Sequence, residues 1–113
     1  MARGGFPGMG GANMQQLMRQ AQKMQEQMQQ LQLDLDTRTY EAAAGGGMVK
    51  VKVSGTREVL ELAIDPQAVD PDDVEMLQDL VLAAVNEALR KGEETREAEM
   101  AKVNAMAGLG GLF

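Results

Sequence analysis

The chain has no cysteine, no histidine and no tryptophan, and its 113 residues include one tyrosine, two phenylalanines and three prolines. Without cysteine there is no disulfide framework and no thiolate nucleophile, a composition suited to a reducing compartment. Without histidine the usual general base near neutral pH is missing, and with both absent so are the preferred ligands of zinc. The acidic clusters Asp72-Asp73, Glu93-Glu94 and Glu97 with Glu99 are accounted for by helix capping and a solvated helix face. No enzyme activity, no metal site and no cofactor is therefore expected. No apolar run approaches the roughly 20 residues that cross a membrane, and no run of about seven or more apolar residues opens the chain as a secretory signal would. The absences point to a cytoplasmic protein that binds rather than catalyses.

Scarce aromatics also limit the core. A chain of this length holds one domain, and a small domain buries a modest share of its surface. Association with a second copy would relieve the shortage. Glycine is concentrated at the ends, in GGFPGMGGA and GLGGLF, where ordering costs backbone entropy. The reading is a flexible tail over residues 1–12, one domain over 13–106, and a second flexible tail over 107–113.

The net charge of −6 excludes a uniformly basic nucleic-acid binder, but the charge is uneven. Residues 1–57 carry seven Lys/Arg against four acids, and residues 58–113 carry four against thirteen. Since fields are screened over about 8 Å at physiological salt, local sign matters more than the total. Contact with an anionic partner should fall to the first half.

From Asn13 to about Leu33, apolar residues recur at Met14, Leu17, Ala21, Met24, Met28, Leu31 and Leu35, with Met18 widening the stripe. Alternating steps of three and four are the seam of a heptad repeat, suited to core or dimer contact. Asn13 followed by Gln16 offers an N-terminal cap, and Asp34 and Asp36 mark the far end, where acids are disfavoured. Opposite the seam stand Gln15, Gln16, Gln22, Gln29 and Gln30, with Arg19 and Lys23 one turn apart among them. Such a face is either simply soluble or a phosphate-contacting strip, in which amides hydrogen-bond the DNA backbone and the two cations neutralise it.

Three strands follow. Thr37–Ala44 is rich in Thr, Tyr and Ala. Gly45, Gly46 and Gly47 supply the positive-φ positions of a hairpin loop; they lead into a strand rather than a helix with Lys-Ser/Thr, so they are not a phosphate loop. Met48–Ser54 alternates, with Val49, Val51 and Val53 on one face and Lys50 and Lys52 on the other. These lysines serve either as solubility charges or as DNA contacts. After the Ser54-Gly55 turn, Val59–Asp65 is expected to place Leu60, Leu62 and Ile64 inward and Glu61 outward. The last helix should begin with Asp70 as cap and Pro71 as first residue. Val74, Leu77, Val81, Ala84, Val85, Ala88 and Leu89 should line its buried face up to Arg90 and Lys91. It is expected to continue through Gly92 to Met106 at a cost of about 1 kcal/mol, with a bend at Gly92 as the alternative.

The segments LMRQAQKMQEQMQQLQ, GGGMVKVKVSG, a strand ending IDP, and MLQDLVLAAVNEAL occur in this order. Together they resemble the YbaB/EbfC family of bacterial nucleoid-associated proteins, from about Met14 to Met106. The resemblance implies an α+β fold of order α-β-β-β-α and a homodimer in which the sheets join and the long helices form tweezer-like arms. It also implies double-stranded DNA as partner and a role in nucleoid organisation and gene expression. The family has no base-reading signature to carry over, so the contact candidates come from charge and placement: Arg19, Lys23, Gln15, Gln16, Gln22, Arg90, Lys91, Lys50 and Lys52. A rival reading, favoured by the acidic total, is an interaction module that assists a DNA-repair or replication protein with little direct DNA contact.

Overall fold

The structure is a computed structural model that describes residues 13–111. The tail expected over residues 1–12, and the last two residues of the one expected over 107–113, lie outside the described residues. Helix α1 (Met14–Thr37) is followed by strands β1 (Thr39–Ala44), β2 (Val49–Ser54) and β3 (Val59–Ile64). A 3-10 turn (Pro66–Ala68) and helix α2 (Val74–Gly111) complete the order. The chain divides into two compact units between Leu33 and Asp34. The first contains α1 up to Leu33; the second contains the last turn of α1, the sheet and α2.

In the first unit Met14, Leu17, Met18 and Ala21 are exposed, and Met24, Met28 and Leu31 are half-buried. The seam expected to be core or dimer contact is thus largely uncovered at its start within a single chain. The helix also runs one turn beyond the expected stop at Leu33. Its last turn is held by packing and charge: Leu35 is fully buried, Arg38 bridges back to Asp34 at 2.7 Å, and Arg96 reaches Asp36 at 2.6 Å. Those cations offset the acids that a helix C-terminus disfavours.

The sheet is antiparallel in the order β1-β2-β3. Val49, Val51 and Val53 are buried as their alternation requires, and with Ala42, Ala84 and Ala88 they form the core on which Tyr40, Leu77, Leu80, Val81, Val85 and Leu89 pack. Burying each valine contributes roughly 1.5–3 kcal/mol. Gly45, Gly46 and Gly47 all have positive φ, which only glycine tolerates three times in succession.

Register decides which backbone groups are free. Asp65 N–H donates to Met48 O and Gly55 N–H to Arg38 O. With the strand partners, this means that Glu41 points its backbone groups to the open edge of β1, and Leu62 and Ile64 theirs to the open edge of β3. A bulge between Lys52 and Val53 leaves Leu60 without an opposite residue.

The expectation for β3 needs correction. Leu62 and Ile64 lie on the same face as their partners Val51 and Val49, yet Leu60, Leu62 and Ile64 are 45%, 48% and 37% exposed. The reason is coverage: α2 packs across β1 and β2 and hardly touches β3. The start of α2 also differs. Asp70 Oδ1 accepts from Asp72 N–H in a separate turn, while Asp73 Oδ1 accepts from Met76 N–H and caps the helix, which begins at Val74 rather than Pro71. Val74 is exposed, not buried. Once started, α2 is unbroken through Gly92 and extends past Met106 to Gly111. At Gly92 a Cβ would stand 3.1 Å from Cδ2 of Tyr40.

Candidate nucleic-acid interface

On α1, Arg19 and Lys23 are exposed one turn apart, with Gln15, Gln16 and Gln22 also exposed. Among the described residues neither cation has a carboxylate within 4.0 Å. Lys23 borders a shallow hollow with Glu26, Gln27, Gln30 and Leu33. A guanidinium and an ammonium one helical turn apart, flanked by amides and with no carboxylate within 4.0 Å among the described residues, suit neighbouring phosphates of a nucleic-acid backbone.

In the second unit, Lys50, Lys52 and Lys91 border one shallow hollow of about 500 Å³ on the face of the sheet away from the core. Lys50 sits between Ala43 and Ala63 across the strands, whereas Lys52 sits between Glu41 and Glu61 and pairs with Glu61 at 3.7 Å. The ammonium of Lys91 donates to the carbonyl of Glu41 at 2.8 Å, occupying an acceptor on the open edge of β1. Lys50 is the one of the three with no ion pair or hydrogen bond to its ammonium among the described residues.

Arg90 stands in a different setting. Glu87 and Glu94 hold it from either side along α2, raising its pKa through the Glu87 hydrogen bond and holding Glu87 below the usual carboxylate range. Its charge is offset locally twice over, which leaves little field for a phosphate.

Three cations escaped the sequence reading. Arg38, whose pKa is raised chiefly by its hydrogen bond to Asp34, also reaches Glu99 at 3.2 Å. Glu99 is lowered first by Lys102 and then by Arg38. Arg96 joins Asp36 and the Gly55 carbonyl, and Arg57 joins Glu93. No spacing rule links residues 36 to 61 positions apart; the only local hint was the Ser54-Gly55 turn. Among the described residues no group of three or more Asp and Glu side chains is placed to hold a metal ion, and no helix is long and apolar enough to cross a membrane.

The features define a small α-β-β-β-α protein with exposed cations on its first helix. The chain belongs to the YbaB/EbfC DNA-binding family, whose model matches residues 9–107. It is 55% identical to a protein named nucleoid-associated protein from Alkaliphilus metalliredigens over the full length of both chains. It is 57% identical to one of the same name from Ruminiclostridium cellulolyticum, covering 99% of this chain and 96% of that one. Among solved structures, the uncharacterized protein HP0035 from Helicobacter pylori superposes with a TM-score of 0.64 at 27% identity, covering 78% of this chain and 92% of that one.

Proposed function

We infer that this protein is a DNA-binding, nucleoid-associated protein that works as a homodimer in the cytoplasm, binding DNA without catalysing a reaction on it and contributing to nucleoid organisation and gene regulation. Family membership supports DNA as the partner. The observation that carries the contact is the exposed pair Arg19 and Lys23, without carboxylate partners among the described residues on a chain whose total charge is −6. Gln15, Gln16 and Gln22 add hydrogen bonds to the backbone, and Lys50 is a secondary contact.

The homodimer is supported by β3. Its apolar face is uncovered and its edge is open, whereas on the β1 edge the Glu41 carbonyl is taken by Lys91. A two-fold axis matches a patch to itself, and β3, reading VLELAI, carries one charge, already paired to Lys52. Pairing would bury Leu60, Leu62 and Ile64 and present two copies of the α1 cation pair. With no base-reading group, sequence preference would come from DNA shape and half-site symmetry.

The test is a titration into fluorescent duplex DNA. Four phosphate contacts per dimer predict an affinity loss of about 10²-fold between roughly 50 and 200 mM salt. Reversing Arg19 and Lys23 to Glu should abolish most of that binding with the dimer intact. Binding that survives the reversal would sink the α1 contact, and no binding at the lower salt would favour the rival reading, a module serving a DNA-repair or replication protein. In sedimentation, Leu62→Glu should yield a folded monomer; a dimer that persists would exclude β3 as the interface.

A further inference from the structure

The face of the sheet away from the core carries its charge in rows. Across the strands Lys52 stands between Glu41 and Glu61, and two residues back along β2 Lys50 stands between Ala43 and Ala63. Residues at that spacing share one face and lie about 6.6 Å apart along the strand, close enough for two long stems to converge on one group. The alanine methyls beside Lys50 are short, which leaves the shallow hollow of about 500 Å³ that Lys50, Lys52 and Lys91 border. Lys91 reaches it from α2, meeting the Glu41 carbonyl at the open edge of β1.

The three ammonium groups are unequally engaged. Lys91 donates one of its N–H groups to Glu41 O at 2.8 Å, and an ammonium carries three. Lys52 stands 3.7 Å from a mostly exposed Glu61, too far for a hydrogen bond. Lys50 has no partner for its ammonium among the described residues. The hollow thus gathers three cations against the carboxylates of Glu41 and Glu61, on a chain whose total charge is −6, and leaves most of their N–H groups unused. A phosphoryl dianion matches that arrangement: it accepts from several ammonium groups at once and carries more charge than the single exposed carboxylate it competes with for Lys52. The volume lies within the range of about 300–1,000 Å³ typical of small-ligand clefts. A duplex backbone crossing the strands at Lys52 would meet Glu41 and Glu61 on either side, whereas a compact group seated beside Lys50 has alanine on both flanks.

We propose that this hollow binds the phosphoryl group of a small ligand, with Lys50 as the main contact, Lys52 and Lys91 as flanking donors, and Glu61 as the group that the ligand displaces from Lys52. The site is independent of the DNA-binding reading, because every residue in it lies in the second unit, on the sheet and on α2. Lys50 is common to the two, as a contact to backbone phosphate in one and to a free phosphoryl group in the other.

The experiment is an amide-resolved NMR titration of the full chain with inorganic pyrophosphate, with chloride at matched ionic strength as control and a short DNA duplex as a second arm. Pyrophosphate should give saturable shifts at the amides of residues 42–43, 50–52 and 61–63. Lys50→Gln should weaken binding by about tenfold, the loss of one charge-assisted contact. Glu61→Gln should tighten it severalfold, since it frees Lys52 and removes a repelling carboxylate. Both side chains are exposed, and circular dichroism checks that the variants fold. Shifts that fail to saturate, that chloride reproduces, or that Lys50→Gln leaves unchanged would overturn the site, and weaker binding by Glu61→Gln would overturn the displacement. Duplex DNA that moves these amides when pyrophosphate does not would make Lys50 a DNA contact alone and also overturn the proposal. Pyrophosphate binding by a protein that fails to bind DNA would keep the hollow while the DNA reading falls.

Discussion

Replacing Gly55 by alanine tests the closest approach in the fold. The added Cβ would sit 1.8 Å from Leu35 O, 2.7 Å from Leu35 C and 3.0 Å from the Asp36 Cα. All three are backbone atoms, so no rotamer change relieves the clash, and the turn and the end of α1 must separate by more than about 1 Å to reach ordinary contact distances. Separation stretches the Gly55 N–H to Arg38 O bond and the Arg96 to Gly55 O bond, each contributing about 1 kcal/mol. It also opens the packing around Leu35, which is fully buried; forced overpacking of this kind costs about 1–3 kcal/mol. A loss of roughly 3 kcal/mol follows, which for a domain of this size lowers the melting midpoint by about 10–25 °C. Thermal unfolding followed by circular dichroism at fixed protein concentration measures it. A change within about 0.5 kcal/mol, the range of ordinary surface substitutions, would refute the close approach.

Gly92→Ala should behave oppositely. Alanine gains about 1 kcal/mol of helix propensity, and the half-buried Tyr40 ring, 3.1 Å from the new Cβ, has to give by only a few tenths of an ångström, so a small net stabilisation of about 0.5 kcal/mol is expected in the same melts. A clear loss would show that the ring is fixed. Acid should weaken the protein in a defined window. The Arg90 hydrogen bond holds Glu87 low, and Lys102 and then Arg38 hold Glu99 low. Their stabilising contribution is therefore complete above the ordinary value of 4.5 and lost as pH falls below it through the depressed values. Melts across that window should show the decline, and Glu99→Gln should flatten part of it; an unchanged profile would mean that these pairs do not persist in solution.

Much of the fold was written in local pattern. The valine alternation of β2, the three glycines of the first hairpin and the long repeats of both helices each follow from the geometry of one element, so they could be read without a partner. The same holds for Arg19 and Lys23, whose exposure follows from their position opposite an apolar stripe. What local pattern could not carry was coverage. Leu62 and Ile64 alternate as faithfully as Val51 and Val49, but whether such a face is buried depends on which strands α2 lies across, and it lies across β1 and β2. The stop of α1 was misplaced because Asp34 and Asp36 are unfavourable helix ends only until Arg38 and Arg96 neutralise them.

The sequence by itself determined the element order, the hairpin glycines, the core valines and the pair of cations on α1, because periodicity and charge are properties of neighbouring residues. Only the tertiary structure decided that α2 leaves β3 uncovered, that Lys91 takes one carbonyl on the open edge of β1, and that Arg96 meets Asp36. Those outcomes depend on residues brought together from distant parts of the chain, and packing, not spacing, chooses such partners.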